Sequence, residues 1–460
     1  VSEASNVFNV RYDLSGPTSL VVTAKLNSDT GDIYDGNWTN KPVVISAQAT
    51  DEASQINRIE YSYDNATWKT DWGTNLVTNG NTSSIKGTWN SNYNTTVYVR
   101  AVDNMGNASE SKSVVLKQDT TAPAAPTFTN SSNGNWTKDS VKVTLTSTDA
   151  GSGVAKYQVK YSGTNGTWND VSNPDPWSAE RNETVYYRAV DNAGNVSAES
   201  STAIKIDKTA PVKPTYVSRY ADKTAYTSGT WTNKTAYTDI TTEDKASGVA
   251  KIQYSFDNST WGDLSLLASS GIQVSGTKAT GTEEWTLKDR NNNVWFRAVD
   301  NVGNVSEASN VFNVKYDLTA PTASKTEVKN LTATGYDVYV YNVADAGSGV
   351  NRVQFPTWTE SKGQDDIISD WVTNSKSTGT KQSDGTTWVY HVNTTDHKNE
   401  YGKYNTHVYV YDNLGNSKMV GSAAPTVPGV TVTYNYSENG GTSATKTSAT
   451  VGYNSAVDLT

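Results

Sequence analysis

Twelve aspartates stand at three comparable points in each of four repeated stretches of the chain. They are Asp13, Asp51 and Asp103; Asp119, Asp149 and Asp191; Asp207, Asp244 and Asp300; and Asp317, Asp345 and Asp412. Carboxylate oxygens, together with backbone carbonyls, are the ligands that Ca²⁺ prefers. Three carboxylates held together would therefore form a calcium site. The alternative is that each Asp caps its own turn and needs no metal.

Other side chains offer little catalytic chemistry. The chain contains no Cys and 3 His, which excludes disulfides, thiolate metal sites and a Cys nucleophile. His391, His397 and His407 have Asp396 and Glu400 nearby, but their spacing matches no zinc-binding pattern. No nucleophile elbow or phosphate-binding loop occurs, so we expect a non-catalytic protein with no cofactor besides Ca²⁺. The net charge of −9 disfavours nucleic acid as a partner.

One phrase recurs along the chain and divides it into repeats. It reads VRAVDNMGNAS from Val99, YRAVDNAGNVS from Tyr187 and FRAVDNVGNVS from Phe296, with a diverged copy, VYVYDNLGNSK, from Val408. Junctions such as DTTAPAAP and DKTAPVKP follow the copies. Because Pro fixes φ and restrains the residue before it, these junctions predict short, stiff connectors between domains.

The repeats and junctions divide the chain into six segments. They are residues 1–14, 15–118, 119–206, 207–316, 317–424 and 425–460. The four central segments are long enough to be complete domains, whereas the two terminal segments each hold part of a repeat. We therefore expect the sequence to be a window on a longer array.

The complete segments carry short alternating strands separated by turns. VKVTLTSTD and VAKYQVKYSG alternate with period two around the turn sequence AGSG. In VYVRAVD, we expect Val97, Val99 and Ala101 to face inward, because the other face carries an Arg that is costly to bury. The pattern predicts an all-β fold of antiparallel two-sheet sandwiches. These would lie end to end as an extended rod, almost without helix.

This topology would place the aspartates of each set together. The linker before the first strand, the loop between the second and third strands, and the final hairpin turn lie at one pole of such a sandwich. Each set of three is therefore expected to converge at a domain junction and to bind Ca²⁺. Asp51 fits least well, since TDEASQ lacks the Ser-Gly pair that follows Asp149, Asp244 and Asp345.

Tryptophan also recurs at matched positions of the first three complete segments. The three sets are Trp38, Trp136 and Trp231; Trp68, Trp168 and Trp261; and Trp89, Trp177 and Trp285. Exposed aromatic rings would suit sugar rings, but repetition at fixed positions of a fold favours packing in the core or on the sheets. Packing is therefore the prediction, and sugar binding is the alternative.

These motifs resemble repeat families of bacterial surface proteins. RAVDNxGN, the SGV turn before a Tyr-rich strand and the DxTAP junction are similar to the Ig-like repeats of cell-surface adhesins, over residues 1–317. GYDVYVYNVADAGSGVNRVQFPTWTE and YGKYNTHVYVYDNLGNS resemble the repeat first seen in group B streptococcal surface proteins, over residues 319–422. VTVTYNYSENGG resembles the first half of the Listeria–Bacteroides repeat of internalin-type proteins, a small β-grasp-like unit, over residues 428–460.

The resemblance assigns each segment a type. Residues 1–14 would be the last strand of a truncated Ig-like repeat, and residues 15–118, 119–206 and 207–316 Ig-like domains. Residues 317–424 would be a streptococcal-surface-type sandwich, and residues 425–460 a truncated β-grasp-like repeat.

The implied function is that of a non-catalytic repeat or stalk region of a bacterial adhesin, secreted or attached to the cell surface or wall. The rod would be monomeric and would project towards an unidentified protein or glycan on a host or environmental surface. The junctions of some giant adhesins are similar and bind Ca²⁺. The alternative function is a set of carbohydrate-binding accessory modules of a surface glycoside or cell-wall hydrolase. No run of about 18 apolar residues, the length of a membrane-spanning helix, occurs in the sequence.

Overall fold

The computed structural model describes residues 9–264, 272–435 and 446–457. Strands make up 50% of the chain, and the described residues contain no α-helix and only short 3-10 segments. This confirms the predicted all-β class. No helix in this part of the chain is long and apolar enough to cross a membrane. The chain forms two compact units, residues 1–209 and 210–460, and each is described by itself below.

The first unit begins with a seven-stranded sandwich, the first sandwich. Its strands are β1 (Ser19–Leu26), β2 (Val43–Thr50), β3 (Ile56–Ser62), β4 (Val77–Asn79), β5 (Thr82–Trp89), β6 (Tyr93–Asp103) and β7 (Lys112–Gln118). One sheet has the order β1-β2-β5-β4 and the other β3-β6-β7. This is the strand order of a constant-type immunoglobulin domain.

The second sandwich completes the first unit. Its strands are β8 (Thr127–Asn130), β9 (Val141–Thr146), β10 (Val154–Lys160), β11 (Asn169–Val171), β12 (Asp175–Trp177), β13 (Arg181–Asp191) and β14 (Ser200–Ile206), with a 3-10 segment at Ser162–Thr164. Its sheets have the orders β12-β9-β8 and β11-β10-β13-β14.

The third sandwich opens the second unit. Its strands are β15 (Thr215–Tyr220), β16 (Trp231–Thr232), β17 (Ala236–Glu243), β18 (Val249–Ser255), β19 (Gly262–Asp263), β20 (Ile272–Ser275), β21 (Lys278–Trp285), β22 (Arg290–Asp300) and β23 (Phe312–Tyr316). Its sheets have the orders β15-β17-β21-β20 and β16-β23-β22-β18-β19.

The fourth sandwich has a longer irregular segment between its sheets. Its strands are β24 (Lys325–Thr332), β25 (Gly335–Tyr341), β26 (Val350–Gln354), β27 (Thr357–Thr359), β28 (Thr380–Lys381), β29 (Trp388–Asn393), β30 (Gly402–Asp412), β31 (Ser417–Ala423) and β32 (Thr426–Val427), with 3-10 segments at Ser375–Ser377 and Thr394–His397. One sheet has the order β24-β25-β29-β28, and in the other β30 pairs with β26, β27, β31 and β32.

Each sandwich has its own hydrophobic core between its sheets. Val97, Val99 and Ala101 have no exposed surface, which confirms the predicted inward face of β6. The indole rings of Trp89, Trp177 and Trp285 are buried in the first three cores. Their Nε1 groups donate hydrogen bonds to Tyr63 Oη, Tyr187 Oη and Thr238 Oγ1 at 3.0, 3.1 and 2.9 Å.

One pairing differs from the antiparallel expectation. In the first three sandwiches, the residue after a half-buried Trp pairs in parallel with the last strand. The pairs are Thr39 with Gln118, Thr137 with Ile206, and Thr232 with Tyr316. The chain changes sheets at this point before its second long strand. It therefore meets the last strand running in the same direction. The period-two pattern alone could not reveal so short a contact.

The terminal segments are described in part. Residues 9–17 lie outside any strand, and the rest of the predicted first strand, residues 1–8, lies outside the described residues. At the other end, β33 (Val430–Asn435) pairs antiparallel with β34 (Lys446–Val451). Residues 436–445, which separate these two strands in the sequence, lie outside the described residues.

Candidate functional site

The pole of each sandwich is built around the turn that follows its longest strand. β13 ends at Asp191, whose Oδ1 accepts a hydrogen bond from the backbone N–H of Asn195 at 2.8 Å. Its Oδ2 accepts one from Nδ2 of Asn195, also at 2.8 Å. Gly194 lies within the turn at a φ of +94°, a conformation that favours glycine. The same turn is formed by Asp103 with Asn107 and by Asp412 with Asn416.

The first Asn of this turn ties it to the loop between the second and third long strands. Nδ2 of Asn192 donates to the backbone carbonyls of Ser152 and Gly153 at 2.9 and 3.0 Å. The equivalent donors are Asn104 to Ser54, Asn301 to Ser247 and Gly248, and Asn413 to Ser348 and Gly349. The turn and the loop are therefore held together in all four sandwiches.

The second Asn ties the turn to the linker that precedes the sandwich. Nδ2 of Asn195 donates to the backbone carbonyl of Asp119 at 2.8 Å. The equivalent bonds run from Asn107 to the carbonyl of Asp13 at 3.2 Å and from Asn416 to that of Asp317 at 3.0 Å. Neither Asn was predicted to have a role, although both recur in the repeated phrase DNxGN.

The linker aspartates Asp119 and Asp317 connect two sandwiches within a unit. The backbone N–H of Asp119 donates to the Thr39 carbonyl of the first sandwich at 3.0 Å. Its Oδ2 accepts the backbone N–H of Ser152, in the second sandwich, at 2.7 Å. Asp317 likewise donates to Thr232 at 3.1 Å and accepts from Ser348 at 2.6 Å. Both side chains are almost fully buried, at 0% and 1% exposure.

Glycine makes room for these two carboxylates. A Cβ atom at Gly151 would lie 2.3 Å from Oδ2 of Asp119, and one at Gly347 would lie 2.3 Å from Cγ of Asp317. The first glycine of the AGSG loop is therefore required by the linker carboxylate that packs against it.

The first sandwich differs at this point. Ala53 replaces the glycine, and the backbone N–H of Ser54 donates to Asp51 at 2.7 Å rather than to the linker. Asp13 remains partly exposed. Gln55 takes the left-handed conformation, with a φ of +66°, that Gly153 takes in the second sandwich. Asp51 is thus placed as in the other loops despite its divergent sequence.

Three of the predicted aspartate sets converge within a unit. In each, one oxygen atom of every carboxylate lies within 4.8 Å of the others. These sets are Asp13, Asp51 and Asp103; Asp119, Asp149 and Asp191; and Asp317, Asp345 and Asp412.

The remaining set is divided between the units. Asp207 belongs to the first unit, and Asp244 and Asp300 to the second. All three cap turns: Asp207 accepts from Thr209, Asp244 from Gly248 and Asp300 from Asn304.

Hydrogen bonds keep several of these buried carboxylates ionised. Burial alone would raise the pKa of Asp119, but hydrogen bonds from Ser152 and Thr121 outweigh it and hold that pKa below its ordinary value. The pKa values of Asp103 and Asp317 are lowered against burial in the same way. In the described chain, no Lys or Arg forms an ion pair with any member of the three converging sets.

The converging sets offer the ligand chemistry of a hard cation. They present carboxylate oxygens and nearby linker carbonyls, without nitrogen or sulfur donors, which suits Ca²⁺ rather than Zn²⁺. The aspartates also cap their own turns. The arrangement is therefore compatible with both interpretations of the sequence, turn capping and Ca²⁺ binding. Ion binding at these sets stays a prediction.

The three histidines have separate partners. His391 lies 2.6 Å from Oδ1 of Asp337, and the buried His397 lies 3.1 Å from Oδ2 of Asp366. The His407 ring packs edge-on against Trp358, with centroids 4.9 Å apart. Among the described residues, only the aspartate sets group three or more potential metal ligands.

The tryptophans fall into two structural classes. None of the fourteen is exposed; five are buried and nine half-buried. The half-buried Trp68, Trp168 and Trp261 lie against the Arg of the RAVDN strand. The guanidinium carbon is 4.0, 4.3 and 4.3 Å from the respective ring centroid. The prediction of packing is thus confirmed for two sets. The set that contains Trp89 packs in the cores, and the set that contains Trp68 packs on the sheets.

Part of the chain matches a known repeat family. Residues 325–424 match the family model of the GBS Bsp-like repeat, which supports the resemblance predicted for residues 319–422. No curated protein sequence matches the chain. The resemblance of residues 1–317 to Ig-like adhesin repeats stays a prediction, as does that of residues 428–460 to the internalin-type repeat.

Solved structures show likeness at low identity. Fibronectin(III)-like modules of Clostridium thermocellum CbhA are 18% identical, covering 41% of this chain and 94% of that chain, with a TM-score of 0.21. The FN1–FN3 domains of chicken CNTN1 are 13% identical, covering 66% and 98%, with a TM-score of 0.21. SGBP-B of Bacteroides ovatus, solved with a mixed-linkage heptasaccharide, is 10% identical, covering 70% and 81%, with a TM-score of 0.16. The strand orders, rather than these scores, establish the sandwich fold.

Proposed function

We propose that the chain is a non-catalytic stalk region of a bacterial adhesin, secreted or attached to the cell surface. The observation that carries this proposal is the buried linker aspartate, Asp119 or Asp317, bonded to the sandwich on either side. A free linker would let neighbouring domains move independently. A linker fixed at both ends resists bending, which is the property that a stalk requires.

Calcium is the second part of the proposal. Three carboxylates in close contact repel one another, and a divalent cation would remove that repulsion while binding their oxygens. The linker Asp is a member of each converging set. Bound Ca²⁺ would therefore stiffen the same junction that the hydrogen bonds hold.

The setting and partner follow from the same proposal. The match of residues 325–424 to the GBS Bsp-like repeat supports an extracellular or cell-surface location. The stalk would act as a monomeric rod and present a binding region towards a host or environmental surface. Its partner there would be a protein or a glycan.

A second candidate function is that of carbohydrate-binding accessory modules of a surface hydrolase. The half-buried Trp68, Trp168 and Trp261 favour it, because aromatic rings near a sheet surface can stack on sugars. The burial of Trp89, Trp177 and Trp285 in the cores favours the stalk.

Small-angle X-ray scattering tests the stalk. A compact chain of 460 residues would have a radius of gyration of about 23 Å. We expect a value at least about one and a half times larger, because tandem domains with fixed linkers form an extended array. A radius near the compact value would contradict the proposal.

A further inference from the structure

Arg188 and Arg297 lie on the outer sheet faces of the second and third sandwiches, next to aromatic residues. In β13, the side chains of Val185, Tyr187 and Ala189 are buried, so Tyr186 and Arg188 point to the other face. In β22, Trp295 and Arg297 occupy the same positions. Tyr186 is 38% exposed.

Each guanidinium is fixed in place by two contacts. That of Arg188 stacks on the Trp168 ring, 4.3 Å from its centroid, and its Nε donates to Oε1 of Gln158 at 2.8 Å. Arg297 stacks on Trp261 at 4.3 Å and donates to Gln253 at 2.8 Å. The guanidinium groups are thus oriented before any ligand arrives.

Nearby acids are already neutralised by lysines. Gln158 donates to Asp170 at 2.8 Å, and Asp170 forms an ion pair with Lys156 at 2.8 Å. In the third sandwich, Gln253 donates to Asp263, which pairs with Lys251 at 3.0 Å. In the part of the chain that the structure describes, no carboxylate pairs with Arg188 or Arg297.

The first sandwich shows the contrasting case. Arg100 stacks on Trp68 in the same way, but its Nε donates to Glu60, a carboxylate, at 2.9 Å. Arg58 also pairs with Glu60 at 2.6 Å. Gln replaces this Glu in the next two sandwiches, so Arg188 and Arg297 donate to an amide oxygen instead of a carboxylate.

We propose that these two faces, the Arg188 face and the Arg297 face, bind the uronate units of an acidic polysaccharide. The η nitrogens of both arginines form no hydrogen bond to the described protein. A planar guanidinium fork binds a carboxylate through two parallel hydrogen bonds. The flanking rings, Tyr186 and Trp168 or Trp295 and Trp261, provide apolar surface for a pyranose ring.

Local charge favours this ligand although the whole chain is acidic. On the Arg188 face, Lys160 lies 4.7 Å from the Trp168 centroid but forms an ion pair with Glu199 at 3.0 Å. Arg188 is therefore the cation of this face that has no carboxylate partner among the described residues. At physiological salt, charges further away than about 8 Å are largely screened. The net charge of −9 therefore does not prevent binding of an anionic chain at these faces. This inference rests on the proposed stalk function. Calorimetry measures ligand binding and X-ray scattering measures the extension of the chain, so a failure of one can be told from a failure of the other.

Titration calorimetry of the full chain with polygalacturonate tests the proposal. We expect binding that weakens about tenfold or more in the double variant Arg188→Gln/Arg297→Gln, because each charged hydrogen-bonded pair is lost. Arg188→Lys/Arg297→Lys keeps the charge but lacks the fork, and should weaken binding in the same direction. Arg219→Gln is the matched control. Arg219 is an outward arginine already paired with Asp239 at 2.7 Å, so its loss should leave affinity unchanged.

Two other polymers serve as controls, and both are tested on the unmodified chain. Fully methyl-esterified polygalacturonate has the same sugar backbone without the carboxylate, and should bind at least about tenfold more weakly. Equal binding of the ester, equal binding of polyglutamate, or no binding of polygalacturonate would each overturn the proposal. Equal polyglutamate binding would point instead to an acidic protein partner.

Discussion

Gly151 and Gly347 show how single residues decide the geometry of the poles of the second and fourth sandwiches. Their missing Cβ atoms make the space that the linker carboxylates occupy. The positions of the aspartates could be predicted, since they recur with the repeats. The roles of the Asn amides could not, because DNxGN does not reveal which carbonyls lie within reach. Gln55 shows the same limit, since its left-handed backbone could not be inferred from TDEASQ.

Glu283 makes the stability of the third sandwich depend on pH. It is only 4% exposed, and burial raises its pKa to about 7, an effect that Arg290 partly offsets. The folded state therefore holds the proton more tightly than the unfolded state, whose pKa is near 4.5. The contribution of Glu283 to stability is therefore fully present below about pH 4.5 and is lost as the pH rises through about 7, by up to about 3 kcal/mol.

The variant Glu283→Gln should remove this pH dependence. Thermal unfolding of the chain at pH 5 and pH 8 measures it, and the third sandwich of the variant should melt at more similar temperatures than that of the parent. Glu284→Gln is the control, since the adjacent side chain points to the other face of β21. An unchanged difference between the two pH values in Glu283→Gln would contradict the interpretation.

At the scale of elements, the final hairpin of each sandwich connects the strands to the linker. The period-two pattern predicted the long strands and the inward face of β6. It did not predict the parallel pairing of Thr39, Thr137 and Thr232 with the last strand. Such short contacts depend on where the chain crosses between sheets, and they leave almost no pattern in the sequence.

Asn195→Ala should loosen the connection between hairpin and linker. It removes donors to Asp119 and Asp191, leaving buried acceptors unpaired, which costs about 1–3 kcal/mol. Urea unfolding should show this loss in the second sandwich. Asn182→Ala, at an exposed position of the same strand β13, should change stability by less than about 0.5 kcal/mol. Equal effects of the two variants would show that the hydrogen bonds of the Asn195 amide make no specific contribution to stability.

At the scale of the whole molecule, the repeat phrase was sufficient to predict a series of all-β sandwiches. Each repeat buries its own core, so the prediction needed only local patterns and no long-range pairing between domains. The extended rod and the bound ions stay predictions. They depend on forces at the junctions, where three carboxylates meet without a paired lysine or arginine among the described residues.

Calorimetric unfolding of the full chain with Ca²⁺ and with a chelator tests the central claim most directly. Binding at 100 times the dissociation constant stabilises a domain by about 2.7 kcal/mol, which for a domain of this size raises Tm by more than about 5 °C. We predict such a loss of Tm on adding chelator. A smaller loss is expected in Asp119→Asn/Asp317→Asn, which weakens two of the sets. The same Tm with Ca²⁺ and with chelator would contradict the account, and stiffness would then depend on the hydrogen-bonded linkers alone.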